Sequence, residues 1–213
     1  YQRPRTGWRT SSLARALPRM SEIKTTRPEL VTAPTSQPVT LAQARTQVFL
    51  ASDDGTHDTE LSDLIDVAVE QWESDTDSIL MQRTLRVYLE VFDDDEIYLP
   101  SRPVISISSV KYYDDLNTLQ TLASTAYDLD ASSRAVRLKF NQVWPSTSTR
   151  WDAGQVNYIA GYASAGAVPA IAKRAILLLV GYYFAANRGD NDRPNDMRAY
   201  ERLKQHYLRA SYP

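Results

Sequence analysis

The sequence predicts an α+β fold, a helical bundle with an antiparallel β-sheet inserted in its middle. Three observations carry this. Apolar residues recur at helical spacing from Leu61 to Trp72 and again near the end of the chain. Between residues 82 and 162 the period changes to two, and the chain breaks into short β-branched runs. Beyond them, residues 175–186 form an uncharged apolar run, as expected of a helix enclosed on all sides.

Taken in order, residues 1–39 hold Pro4, Pro18, Pro28, Pro34 and Pro38 among Arg, Thr and Ser. Such a stretch buries too little apolar surface to offset the entropy of ordering it, so it is read as an arm that orders only against another body. Met20 stands within it as an alternative start of translation. Thr40 followed by Gln43 is a capping-box pattern. It opens a helix over about 40–51, which stops at Ser52-Asp53-Asp54-Gly55. A second helix is expected over 58–78. Leu61, Leu64, Ile65, Ala68 and Trp72 form its apolar stripe, and Glu60, Asp63, Asp66, Glu70 and Glu73 fill the opposite side.

Leu85, Val87, Leu89 and Val91 then alternate with Arg86, Tyr88 and Glu90, the mark of a half-buried strand. The run Asp93-Asp94-Asp95-Glu96 is read as a solvated hairpin loop leading to Ile97-Tyr98-Leu99. Further strands are expected over 104–113, 118–122, 127–129, 135–140 and 155–162, with Asp114-Asp115-Leu116-Asn117 as a turn. Pro169 suits the first position of the next helix, 169–188, and Gly189 its end. Trp72, Leu179 and Tyr183 are expected in the core. A last amphipathic helix, about 196–209, carries the stripe Met197, Tyr200, Leu203 and Tyr207.

Composition narrows the function. The 213 residues are 43% apolar and 23% charged, enough to close a core without covalent staples. The absence of cysteine removes disulfides, thiolate zinc sites and thiol nucleophiles. Neither a G-x-x-x-x-G-K nor a G-x-G-x-x-G phosphate loop occurs. His57 has no Ser or Asp partner at a recognised spacing, and His206 lies off the apolar stripe. No catalytic residue, cofactor or resident metal is therefore expected. The longest apolar run has 12 residues, too short to span a bilayer, and the first 19 residues lack the apolar segment of a secretory signal.

Charge is unevenly spread. Residues 1–27 carry seven bases and one acid, whereas the remainder holds 17 bases and 25 acids. A basic arm on an acidic body points to an electrostatic partner, either nucleic acid or an acidic protein surface. Within the body, residues 53–77 hold ten acids and neither Lys nor Arg. They lack the alternating spacing and closing Glu of a calcium loop, and nothing fixes a nuclease-type carboxylate pair. The plain reading is a solvated helix face; a like-charged face also suits a channel through which DNA slides without sticking. For the arm, Arg3, Arg5, Arg9, Arg15 and Arg19 either meet phosphates or, with Trp8, anchor on a partner protein. The second is favoured, because one aromatic makes no stacking platform for single strands.

The order of short motifs is specific. Val39-Thr40-Leu41-Ala42-Gln43-Ala44 is followed by Leu61-Ser62-Asp63-Leu64-Ile65, then by Met81-Gln82-Arg83-Thr84-Leu85. Next come the stretch from Ile97 to Val104, Ser109-Val110-Lys111-Tyr112-Tyr113-Asp114, Tyr127-Asp128-Leu129-Asp130 and Ala135-Val136-Arg137-Leu138. The series closes with Val156-Asn157-Tyr158-Ile159-Ala160-Gly161-Tyr162 and Val168-Pro169-Ala170-Ile171 ahead of the apolar helix. This series resembles the head–tail connector (adaptor, or head-completion) proteins of tailed bacteriophages and gene-transfer particles, over about 39–188.

The resemblance implies a structural virion protein of the neck, assembled in the host cytoplasm. Identical subunits, usually twelve, would form a ring below the portal, continue the DNA channel without sequence-specific binding, and meet a neck or tail-completion protein below. It divides the chain into an arm (1–38), a connector domain (39–189) and a C-terminal docking helix and tail (190–213). On this reading Met197, Tyr200, Leu203, Tyr207, Leu208, Arg209 and Tyr212 dock on the portal, and the five acids of the second helix face the channel. The arm has no counterpart in the family pattern. The competing expectation is a DNA-binding or metal-dependent DNA-processing module, with the arm on phosphates.

Overall fold

A computed structural model describes residues 27–51, 53, 55–92, 96–189 and 194–211. The chain is α+β, with four helices and two antiparallel sheets. It opens with β1 (Glu29–Thr32), α1 (Leu41–Gln47) and α2 (Asp58–Thr76), and continues through β2 (Arg83–Leu89), β3 (Glu96–Tyr98) and β4 (Val104–Tyr113). Then come β5 (Leu119–Leu122), β6 (Tyr127–Asp130), β7 (Ala135–Leu138), β8 (Gly154–Ala160), α3 (Ala170–Ala186) and α4 (Pro194–Ser211).

The capping box forms as the sequence predicts. The Thr40 hydroxyl accepts from the Gln43 N–H at 3.2 Å, and the Gln43 side chain accepts from the Thr40 N–H at 2.9 Å. The helix is shorter than expected, because Phe49 adopts a left-handed backbone (φ 62°) that α-helix cannot continue through. α2 ends one residue before Asp77, which is also left-handed. Pro169 caps α3 from outside, with ψ 136°, instead of occupying its first turn.

The large sheet has strand order β1-β2-β8-β4-β5. Although β2 and β4 are close in sequence, each pairs with β8, in registers such as Leu85 opposite Tyr158 and Val110 opposite Val156. A second sheet, β3-β7-β6, packs its Ile97, Val136 and Tyr127 with Leu85, Val87, Val110, Val156 and Tyr158 of the first. The acidic run at 93–96 is therefore not a hairpin loop. It links strands of two different sheets, and its first three residues lie outside the described set. Gly161 leaves β8 with φ +100°, where a Cβ would stand 2.6 Å from the Met81 carbonyl oxygen.

The second core is helical. Leu61, Ile65, Ala68 and Trp72 of α2 meet Ala172, Ala175, Ile176 and Leu179 of α3, with Tyr200 and Tyr207 of α4. Trp72 and Leu179 are fully buried as expected, while Tyr183 is half-buried at the margin of that core.

One part of the expected arm is built into the sheet. β1 pairs antiparallel with β2, Glu29 opposite Arg86 and Thr32 opposite Thr84. The Tyr88 hydroxyl donates to the Glu29 carboxylate at 2.8 Å. The Pro-rich composition hid a strand whose pairing comes from a segment more than fifty residues downstream.

Candidate functional site

The acidic side of α2 divides in two. Asp63, Asp66 and Glu70 are exposed, and among the described residues none has a cationic partner; Asp66 accepts a hydrogen bond from the Gln37 side chain. Their spacing along the helix sets the three carboxylates on one face. Glu60, by contrast, is neutralised. Arg188 at the end of α3 donates to it at 2.8 and 3.0 Å, lies over the Phe184 ring at 3.5 Å and reaches His57 Nδ1 at 3.0 Å. That Arg188 bond outweighs desolvation and holds the Glu60 carboxyl below its ordinary range.

Glu73 corrects the sequence expectation outright. Its side chain is only 12% exposed and turns toward the start of β2. There it accepts from the Arg83 guanidinium and from the Leu80 N–H, both at 2.8 Å. Burial pushes its carboxyl up despite these partners. A carboxylate enclosed by its own chain presents no charge to a channel.

The stripe of α4 is corrected too. Tyr200 is 1% exposed, its ring edge-on to Trp72 at 6.1 Å, and Tyr207 packs on the same indole at 5.1 Å. Met197 and Leu203 line the same core. The anchors expected to dock on a partner are thus spent inside the chain. Lys204 bonds Asp75 at 3.1 Å and Glu201 at 2.8 Å, pinning α4 to α2. Leu208 is half-buried, Arg209 is exposed, and Tyr212 lies outside the described residues. Arg198, Arg202, His206 and Arg209 make the outer side of the helix. The arm residues Arg3, Arg5, Trp8, Arg9, Arg15 and Arg19 also lie outside the described residues.

A third feature escaped the sequence reading. At the end of the large sheet remote from the helices, Trp151 is 65% exposed, with its ring 5.3 Å from Tyr88. Leu116, in the β4–β5 turn, is 87% exposed; Phe140 and Val143, in the connection from β7 to β8, are 90% and 82% exposed. The connection is anchored at that end by Trp144, stacked on Phe92 at 5.1 Å, whose ring occupies the space above Gly154. Arg150 ties it to the β4–β5 turn, bonding Asn117 at 2.8 Å and lying 3.7 Å over the Tyr113 ring. The available signal was the placing of large apolar residues within turn-rich, polar sequence.

Among the described residues no group of three or more His, Asp or Glu is placed to hold a metal ion, and no helix is long and apolar enough to cross a membrane.

The fold is similar to that of chains in solved structures of gene transfer agent particles. A chain in the virion of a native gene transfer agent particle matches with TM-score 0.63 and 21% identity, over 75% of this chain and 84% of that one. A chain in the neck of the empty particle, computed with C6 symmetry, matches with TM-score 0.61 and 22% identity over 75% and 84%. One in the neck of the native particle, computed with C12 symmetry, matches with TM-score 0.62 and 21% identity over 75% and 83%. At this identity the likeness is one of fold. No protein-family model matches the chain, and no curated protein matches its sequence.

Proposed function

We propose that this chain is a head–tail connector (adaptor) subunit in the neck of a phage or phage-like particle. In this reading copies of it form a ring, twelve by the family resemblance, below the portal; the ring extends the DNA channel and joins head to tail. The observation that carries the reading is the fold likeness to chains of gene transfer agent necks across three-quarters of this chain. The ordered series of connector-like motifs over 39–188 supports it independently.

Asp63, Asp66 and Glu70 are the residues suited to the channel wall, since a negative wall repels phosphate and lets a duplex pass. Contact with the portal then falls to the end of the chain beyond Tyr207. Native mass spectrometry of the purified chain, with a DNA shift assay alongside, tests the proposal. Rings that leave DNA unretarded support it; monomers that retard DNA overturn it in favour of a DNA-binding module.

A further inference from the structure

The apolar rim formed by Leu116, Phe140, Val143 and Trp151 has no cover among the described residues, and its position relative to the start of β1 says what could cover it. In β1 the chain runs antiparallel to β2, so Thr32 lies at the helical end and Glu29 toward the rim. Glu29 is held there by the hydroxyl of Tyr88, whose ring packs on Trp151. Residues 1–26 therefore join the body on the side of the rim.

Their chemistry complements it. The segment supplies Trp8, Leu13, Leu17 and Ile23 as apolar groups, with six bases against one acid. Around the rim, the bases Lys139 and Arg150 are each already paired, with Asp128 at 3.2 Å and Asp152 at 2.9 Å. Glu90 and Asp115 are exposed and have no cationic partner among the described residues, with Lys111 the nearby base further into β4. A basic segment with apolar anchors fits an apolar rim edged by acids, and aromatic and Arg groups are the ones that dominate such contacts.

Resting on the ring reading above, we propose that residues 1–26 of one copy dock across this rim on a neighbouring copy, clasping subunit to subunit. Direction favours the neighbour, and reach allows it. Pro28 fixes its own φ and drives the residue before it into extended backbone, so an immediate reversal onto the chain's own rim is disfavoured. Extended, 26 residues span up to about 90 Å, against a radius of gyration of about 16 Å for a body of this size. The segment is long enough to cross onto the next subunit.

The chain has no cysteine, so single thiols can be placed cleanly. One chain carries Gly7→Cys on the arm; a second, co-expressed, carries Gln142→Cys beside the rim, on an exposed residue. A disulfide between them can only be intermolecular. The expected result is a cross-linked pair at least about tenfold above that formed with Ser62→Cys on α2, because docking raises the local thiol concentration. Adding Phe140→Ser and Trp151→Ser to the rim chain should abolish the excess. Cross-linking no greater than the α2 control overturns the clasp. So does a double-thiol chain that closes only on itself. The native mass of the thiol-free chain reports the ring separately: rings without a cross-link remove the clasp alone, monomers without one remove both, and a cross-link between chains that form no ring keeps the clasp and removes the ring.

Discussion

The Tyr200 hydroxyl donates a 2.6 Å hydrogen bond to the carboxylate of Asp75, joining α4 to the last turn of α2 across 125 positions of sequence. The same carboxylate takes a bond from Lys204, so the final helix is fixed by both packing and charge. Burial and the neighbouring Asp75 carboxylate push the Tyr200 phenol well above its ordinary range, so it remains a donor at any working pH.

Tyr200→Phe keeps the ring against Trp72 and removes only this bond. Hydrogen bonds to charged groups contribute about 1.5–3 kcal/mol, and the variant should lose that much in urea unfolding. A loss under about 0.5 kcal/mol, typical of a surface change, would show that Asp75 is served equally well by water.

Truncation after Asn195 should abolish cooperative folding. It removes Met197, Tyr200, Leu203 and Tyr207 from the core and bares Trp72. Each large side chain lost is worth about 1.5–3 kcal/mol of burial, against a total stability of about 5–15 kcal/mol. A calorimetric scan that still shows a sharp transition would return this helix to the role of a detachable docking element.

Arg83→Met should cost about 3–5 kcal/mol at neutral pH, because it leaves Glu73 buried beside no cation. The Glu73 carboxyl already sits above its ordinary range through burial, and loss of Arg83 raises it further. A group raised in the folded state favours folding below its unfolded pKa and loses that contribution as pH rises through the folded value. The deficit of the variant relative to the parent should therefore shrink in mild acid. A deficit independent of pH would show that the cost is packing alone.

Asp75 works in the opposite sense. Its burial acts to raise it, but the bonds from Tyr200 and Lys204 outweigh that and hold the carboxyl below its ordinary range. Such a group stabilises the fold above the unfolded pKa and ceases to do so as pH falls through the folded one. Asp75→Asn should flatten the acid limb of the stability curve between about pH 5 and pH 3. An unchanged limb would assign acid sensitivity to other carboxylates.

Replacing Asp63, Asp66 and Glu70 together by Lys should leave the melting temperature nearly unchanged, since all three are exposed and apart from the buried stripe. In particles, the proposed channel predicts slower DNA passage with a steeper dependence on salt. Normal ejection by such particles would remove these residues from the channel wall.

What the sequence reveals here follows from how local each signal is. The α2 stripe, the Thr40 cap and the alternation in β2 depend on neighbours within a few positions, so they can be read directly. Tyr200 and Tyr207 form an equally clear stripe, yet periodicity says only that a face is apolar and not which body it meets. Glu73 lies on the acidic side of α2, and no helical spacing reveals that Arg83 folds back onto it. β1 was hidden for the same reason, since its partner is chosen by the sheet and not by its own residues. The apolar rim was missed because isolated aromatics in loops carry no period at all.

The position of β8 as the strand shared by β2 and β4 has a kinetic consequence. Emerging from a ribosome, β2 and β4 are complete long before the segment that unites them, and the core of the helical layer waits longer still for α3. Nothing in the first 150 residues can close the large sheet. Pairings this distant pay their loop-closure entropy before any reward, which makes them slow. Until Gly154–Ala160 is made, β2 has only β1 and β4 only β5 to pair with, and the two halves are then joined into the native sheet over these few residues.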